Sequence, residues 1–140
     1  MKMIPSYPHE TGSMAEKKIF DRLRNIFNTP NDPSITAFHS LNVTDHPQNR
    51  FGEIDFLLWG RPGLFVLEIK GGAVQCRKGV WTFQNRYGVN THSAKGPFKQ
   101  AHESLQAIIT KLNKKFGSEI ISTVPIGYGV IFPDCRWQVD

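Results

Sequence analysis

The sequence predicts one mixed α/β or α+β domain, with a central mixed sheet of about four to five strands flanked by helices. Three observations point there. The 140 residues, 39% of them hydrophobic, suit one buried core and leave no room for two. Two segments, one near each end, carry apolar residues at helical spacing. Short runs rich in β-branched and aromatic residues fill the space between them, and one more follows the second helix.

Residues 1–12 contain Pro5 and Pro8 and no periodicity, and read as an N-terminal arm; residues 13–140 are assigned to the folded domain. Ser13 opens the first helix, with Glu16 three positions on as the partner of a capping box. Ile19, Phe20, Leu23, Ile26 and Phe27 form its apolar face, and the polar, proline-containing stretch 28–33 ends it. Strands are predicted over 35–43, 51–59 and 64–70, with a polar loop at 44–50 and a turn at Gly60-Arg61-Pro62-Gly63. Gly71-Gly72 breaks the run, and 73–77 with 80–84 make a second hairpin around Lys78-Gly79. Residues 85–96 are polar and read as a mobile loop. Pro97 suits the first turn of the second helix, whose stripe is Phe98, Ala101, Leu105, Ile108, Ile109, Leu112 and Phe116, with Gly117 as its stop. The last strand spans 124–132, with Val124, Ile126, Tyr128, Val130 and Phe132 alternating.

Composition excludes collagen-like, disordered and disulfide-scaffold classes. The longest apolar runs have four residues, against the roughly 20 a membrane span needs. No apolar signal core follows Met1, so a cytoplasmic location is expected. Cys76 and Cys135 show no metal-ligand spacing and read as free thiols. Seventeen Lys and Arg against twelve Asp and Glu give a net charge of +5, which suits a polyanionic partner such as nucleic acid. The end at Asp140, soon after Arg136-Trp137, suggests a module of something longer.

The chemistry is concentrated in Gly52-Glu53-Ile54-Asp55-Phe56 and Leu67-Glu68-Ile69-Lys70-Gly71. Charges inside apolar strands are paired or bind something. If the turn is 60–63, Trp59 faces Leu64, Asp55 faces Glu68 and Glu53 faces Lys70, all four on one face; a three-residue loop would shift the register by one and put Asp55 and Glu68 on opposite faces unless a bulge repaired it. Two facing carboxylates repel, and a divalent cation resolves the repulsion; Mg²⁺ takes oxygen ligands at roughly 2.1 Å and keeps several waters. Such an ion polarises a phosphoryl oxygen and activates water, and Lys70 beside it orients the nucleophile or stabilises phosphate charge. The implied chemistry is metal-assisted phosphodiester hydrolysis. The bland alternative is a cross-strand Glu53–Lys70 ion pair with a stray acid.

These residues resemble the nuclease-related domain (NERD), a branch of the restriction-endonuclease-like superfamily with the PD-(D/E)xK signature. Asp55 matches its first-strand acid, and Glu68-Ile69-Lys70 its acid-x-lysine. Ile54 stands where the superfamily signature has proline. Glu16 matches the helix-1 acid, Gly96-Pro97-Phe98-Lys99-Gln100-Ala101 the segment opening the second helix, and Gly127-Tyr128-Gly129-Val130-Ile131-Phe132-Pro133 the closing strand. The resemblance implies a restriction-endonuclease-like core and a DNA (endo)nuclease using Mg²⁺, with Mn²⁺ substituting. Asp55 and Glu68 would hold the metal, Lys70 would serve the water, and Glu16 would assist. Residues 1–12 and Phe38-His39-Ser40-Leu41 are also similar to versions fused ahead of a DNA helicase. No GxxxxGK[ST] loop occurs, so such a motor would lie beyond Asp140. The alternative role is a non-catalytic module that docks DNA or a partner for that motor.

The remaining candidates are softer. Glu16 has a purely local role as the capping acid, yet 16, 20, 23 and 27 share a helical face that can lean toward the sheet. Gln100 and Lys99, near the second helix start, are candidates for nucleic-acid contact; Ser104 stands where some relatives carry an aromatic. Lys111, Lys114 and Lys115 read as a solvated face. His9, His39, His46, His92 and His102 show no ligand pairing, and Trp59, Trp81 and Trp137 read as packing residues.

Overall fold

The structure is a computed structural model and describes residues 1–10, 13–26, 34–43 and 52–136. The predicted positions Phe27, His46, the loop at 44–50, Phe51 and Trp137 lie outside the described residues. Element order is β1 (Lys2–Ile4), α1 (Met14–Ile26), β2 (Ile35–Asn42), β3 (Glu53–Gly60), β4 (Gly63–Ile69), β5 (Ala73–Arg77), β6 (Val80–Gln84), β7 (Asn90–Ser93), α2 (Pro97–Phe116), α3 (Ser118–Ile121) and β8 (Ile126–Ile131). Five strands form a mixed sheet in the order β1-β2-β3-β4-β8, and β5-β6-β7 form a separate antiparallel sheet. This is the mixed α/β fold with a helix-flanked central sheet that the pattern predicts, consistent with a restriction-endonuclease-like core.

The two helices cover opposite faces of the sheet. Ala15, Ile19, Phe20 and Leu23 of α1 pack with Ala37, Phe56 and Ile69. Leu105 and Ile108 of α2 pack with Ile54, Leu57, Leu64 and Val66. The capping box forms as predicted: Glu16 N–H donates to Ser13 Oγ at 3.1 Å, and Ser13 N–H to Glu16 Oε1 at 3.2 Å. Pro97 occupies the first turn of α2, and Gly117, at φ 90°, closes it.

Two expectations need correction. Residues 2–4, read as part of an arm, form edge strand β1, parallel to β2, with Met3 buried. Residues 85–96, read as a loop, contain β7, whose Asn-Thr-His-Ser sequence has no apolar alternation to announce it. Gly117 ends α2 as predicted, and the short α3, which the pattern did not announce, follows it. Among the described residues no helix is long and apolar enough to cross a membrane.

The second sheet leaves β4 through Gly71 and Gly72. A β-carbon on Gly71 would stand 2.6 Å from Ala15 Cβ, and one on Gly72 would stand 2.1 Å from the Gln84 carbonyl oxygen. Gly72 also has φ +78°. The sheet then rests on the start of α2, where Trp81 contacts Phe98 and Phe98 contacts Phe132. Gly72→Ala should therefore destabilise the fold by about 2 kcal/mol or more in urea unfolding, as backbone is in the way. Gly79→Ala, at the same φ but with open space around it, should cost only about 1 kcal/mol.

Candidate active site

The predicted β3–β4 register is observed: Trp59 pairs with Leu64 and Phe56 with Leu67. The ladder does not extend to Asp55 opposite Glu68, however. Instead, Asp55 Oδ2 accepts the Ile69 N–H at 2.7 Å. Lys70 N–H already bonds Ile131 on the β8 side, so Ile69 N–H points toward β3. The Asp55 side chain thus occupies the position a β3 carbonyl would otherwise take.

The neighbouring β2–β3 ladder is irregular at the same level. His39 pairs with Phe56 and Leu41 with Ile54, while Ser40, the residue across from Asp55, has φ 53°. The core faces exchange here. Phe56 and His39 lie on the α1 side, whereas Ile54 and Leu41 pack with the α2 side. The rule that residues two apart share a face fails across this point, so the expected single face of four charges is corrected. Glu53 is exposed and pairs with Asn42, and it stands apart from the cluster.

Asp55, Glu68 and Lys70 do gather. Glu68 is 1% exposed, and Lys70 Nζ lies 2.7 Å from its Oε1. The lysine's partner is the acid of its own strand, not Glu53 across the hairpin. Burial raises the Asp55 carboxyl, and the Glu68 charge raises it further; the Ile69 N–H pulls it back, leaving it at about 7. Burial also lifts Glu68 above the ordinary carboxyl range against the opposing pull of Lys70, and Glu16 adds to the rise.

Glu16 is half-buried beside this pair, and its charge is felt by both acids. Burial pushes its own carboxyl up, but hydrogen bonds from His39 and Ser13 outweigh this and hold it below the usual range. One oxygen serves the capping box and the other lies 3.3 Å from His39 Nε2. Glu16 therefore fills its local capping role and also belongs to the charge cluster.

His39 is a residue the sequence reading passed over. It is 2% exposed, wedged against Phe20 and Phe56, and its Nδ1 is buried without a hydrogen-bond partner among the described residues. Its spacing of two from Ala37 along a strand was the available signal for an inward-facing histidine. Gln100 lines a small cleft together with Lys70, Gly71 and Lys95. Lys99 is exposed on the first turn of α2. Trp81 packs as predicted, while Trp59 is 45% exposed beside an apolar groove. Cys76 and Cys135 are free.

Among the described residues no three His, Cys, Asp or Glu side chains converge closely enough to hold an ion by themselves. The donor set is instead two carboxylates, both hard oxygen donors. One is raised by the other's charge, and each has an oxygen engaged by the chain itself. This suits an ion such as Mg²⁺, which retains waters and shares its shell with a substrate phosphate.

Because the folded-state value of Asp55 lies above its ordinary 3.8, its protonated form favours the fold. That contribution is complete below pH 3.8 and is lost as pH rises through about 7. Asp55→Asn keeps an acceptor for Ile69 N–H and removes the charge. Without metal it should raise unfolding stability by about 1–3 kcal/mol at pH 8. The gain should vanish near pH 4, as thermal melts across that range would show. Glu68, also raised, pushes the native chain's profile in the same direction.

Neither curated proteins nor solved structures include a significant match to the chain. A family model described as the nuclease-related domain (NERD) matches residues 11–133. The match runs from just before α1 to just past β8 and includes Glu16, Asp55, Glu68 and Lys70. The chain, matched over most of its 140 residues, belongs to the nuclease-related domain family.

Proposed function

We propose that the chain is a metal-dependent nuclease domain of the PD-(D/E)xK type, hydrolysing phosphodiester bonds in DNA. The observation that carries this is the half-buried Asp55 beside the buried Glu68, with Lys70 bonded to the second acid, in a chain of a nuclease-related family. Asp55 and Glu68 would hold Mg²⁺, with Mn²⁺ able to substitute. When bound, the ion supplies Lewis acidity toward a phosphoryl oxygen and lowers the pKa of a water.

The chain's own residues supply the rest. The Ile69 N–H fixes one Asp55 oxygen and so orients the carboxylate. Lys70, held by Glu68 and only partly exposed, places a positive charge where a water is oriented and where phosphate charge develops. Glu16, clamped by Ser13 and His39, adds fixed negative charge at the edge of the cluster and assists through a water. Gln100, in the cleft with Lys70, is placed to contact the substrate backbone, and Lys99 adds charge nearby.

Incubation of DNA with the chain and Mg²⁺ or Mn²⁺ should give cleavage that chelation abolishes. Asp55→Ala and Lys70→Ala should each reduce it by about 100-fold or more. Equal cleavage by all three proteins would overturn the assignment. Calorimetric titration with Mn²⁺ should show binding heat that Glu68→Ala removes. The second role, a DNA-docking module alongside a helicase motor, draws on the +5 net charge and the resemblance of residues 38–41. It requires salt-sensitive DNA binding without any metal-dependent cleavage.

A further inference from the structure

The positive charge is unevenly placed. Residues 69–102 contain Lys70, Arg77, Lys78, Arg86, Lys95 and Lys99, and no Asp or Glu. The rest of the chain holds 11 basic against 12 acidic residues, so this stretch carries +6 and the remainder is close to neutral. It comprises the end of β4, the second sheet and the start of α2. The excess charge thus lies on and beside the second sheet, which begins just after Lys70.

The β6–β7 turn of that sheet is built to display two side chains. Asn85 Oδ1 accepts the N–H groups of Tyr87 at 2.9 Å and Val89 at 3.0 Å. The N–H of Asn85 donates to the Val89 carbonyl and that of Gly88 to the Asn85 carbonyl, both at 3.0 Å. From this braced turn Tyr87 projects with 74% of its surface exposed, and the Arg86 guanidinium lies 4.8 Å from its ring centroid. Tyr87 takes no part in the core, and its ring is open to a ligand.

Two adjoining clefts connect the turn with Lys70. One, of about 710 Å³, is lined by Arg86, Tyr87, Ser13, Gly71, Gly72 and Asp134 among others. The other, of about 360 Å³, is lined by Lys70, Gly71, Lys95 and Gln100 among others. They share Gly71. The acid in the first cleft, Asp134, is paired with Lys18 and accepts the Gly72 N–H at 3.0 Å. Beside the second, Glu103 pairs with Lys95. Both carboxylates are thus internally compensated.

We propose that the β6–β7 turn is a docking platform for single-stranded DNA. Tyr87 stacks an unpaired base, Arg86 and its basic neighbours meet the phosphates, and the strand passes Gly71 toward Lys70. A duplex keeps its base faces stacked, whereas an unpaired base offers the face an exposed ring can take. The identity of the strand rests on the nuclease reading; the platform is argued from charge and turn geometry.

Fluorescence anisotropy of a labelled single-stranded oligonucleotide, with the intact chain and in EDTA, tests it apart from catalysis. Tyr87→Ala and Arg86→Ala should each weaken binding by about tenfold or more. Arg86→Ala should also lower the salt dependence by roughly one phosphate contact. Lys114→Ala with Lys115→Ala, at the far end of α2, should leave binding unchanged. Unaltered binding in Tyr87→Ala and Arg86→Ala, an equal loss in the lysine control, or no binding by the native chain overturns the platform. Metal-dependent cleavage would survive that result. Conversely, binding that follows Tyr87 and Arg86 in a chain that never cleaves supports the platform and removes the nuclease reading.

Discussion

One replaced rung of a β-ladder organises the site. Where β3 and β4 part, Ile69 N–H is satisfied by the Asp55 carboxylate and not by a backbone carbonyl. A buried N–H must find an acceptor, so the interaction holds the strand end while anchoring an acid among apolar side chains. Ser40, at positive φ across from Asp55, removes the regular rung on the other side. An aspartate that would otherwise sit in a ladder flanked by neighbours is left with its carboxylate turned into the sheet end.

That placement carries an electrostatic cost, and the surroundings spread it. Glu68 is more deeply buried than Asp55, yet it has Lys70 at 2.7 Å. Asp55 is desolvated and has a like charge nearby, against which the Ile69 N–H only partly acts, so its carboxyl climbs toward neutrality. Glu16 is the counter-example within the same cluster: hydrogen bonds from Ser13 and His39 keep it ionised. Asp55 and Glu68 therefore share a need for positive charge that Lys70 only partly meets. Gly71 lets the chain pass against Ala15, bringing α1 and Glu16 close to the end of β4.

The sequence made much of this legible, for identifiable reasons. The Gly60–Gly63 turn sets the hairpin register, so Trp59 opposite Leu64 follows from loop length. The capping box follows from Ser13 and Glu16 three apart. The elements that escaped notice have no apolar signature: β1 is three residues long, and β7 is wholly polar. The common face for Glu53 and the other charges failed because Ser40 is an ordinary residue in an uncommon conformation, which alternation cannot foretell. His39 was weighed only as a metal ligand, so its place on the core face of the strand went unread.

The central claim is that Asp55 and Glu68 form one cation site at the parting of β3 and β4. A crystal soaked in Mn²⁺ and measured for anomalous scattering tests it most directly. The account predicts one strong peak with an oxygen of each carboxylate roughly 2.1 Å away and Lys70 Nζ alongside. No peak at saturating Mn²⁺, or an ion held by other residues while the two carboxylates point apart, would contradict it.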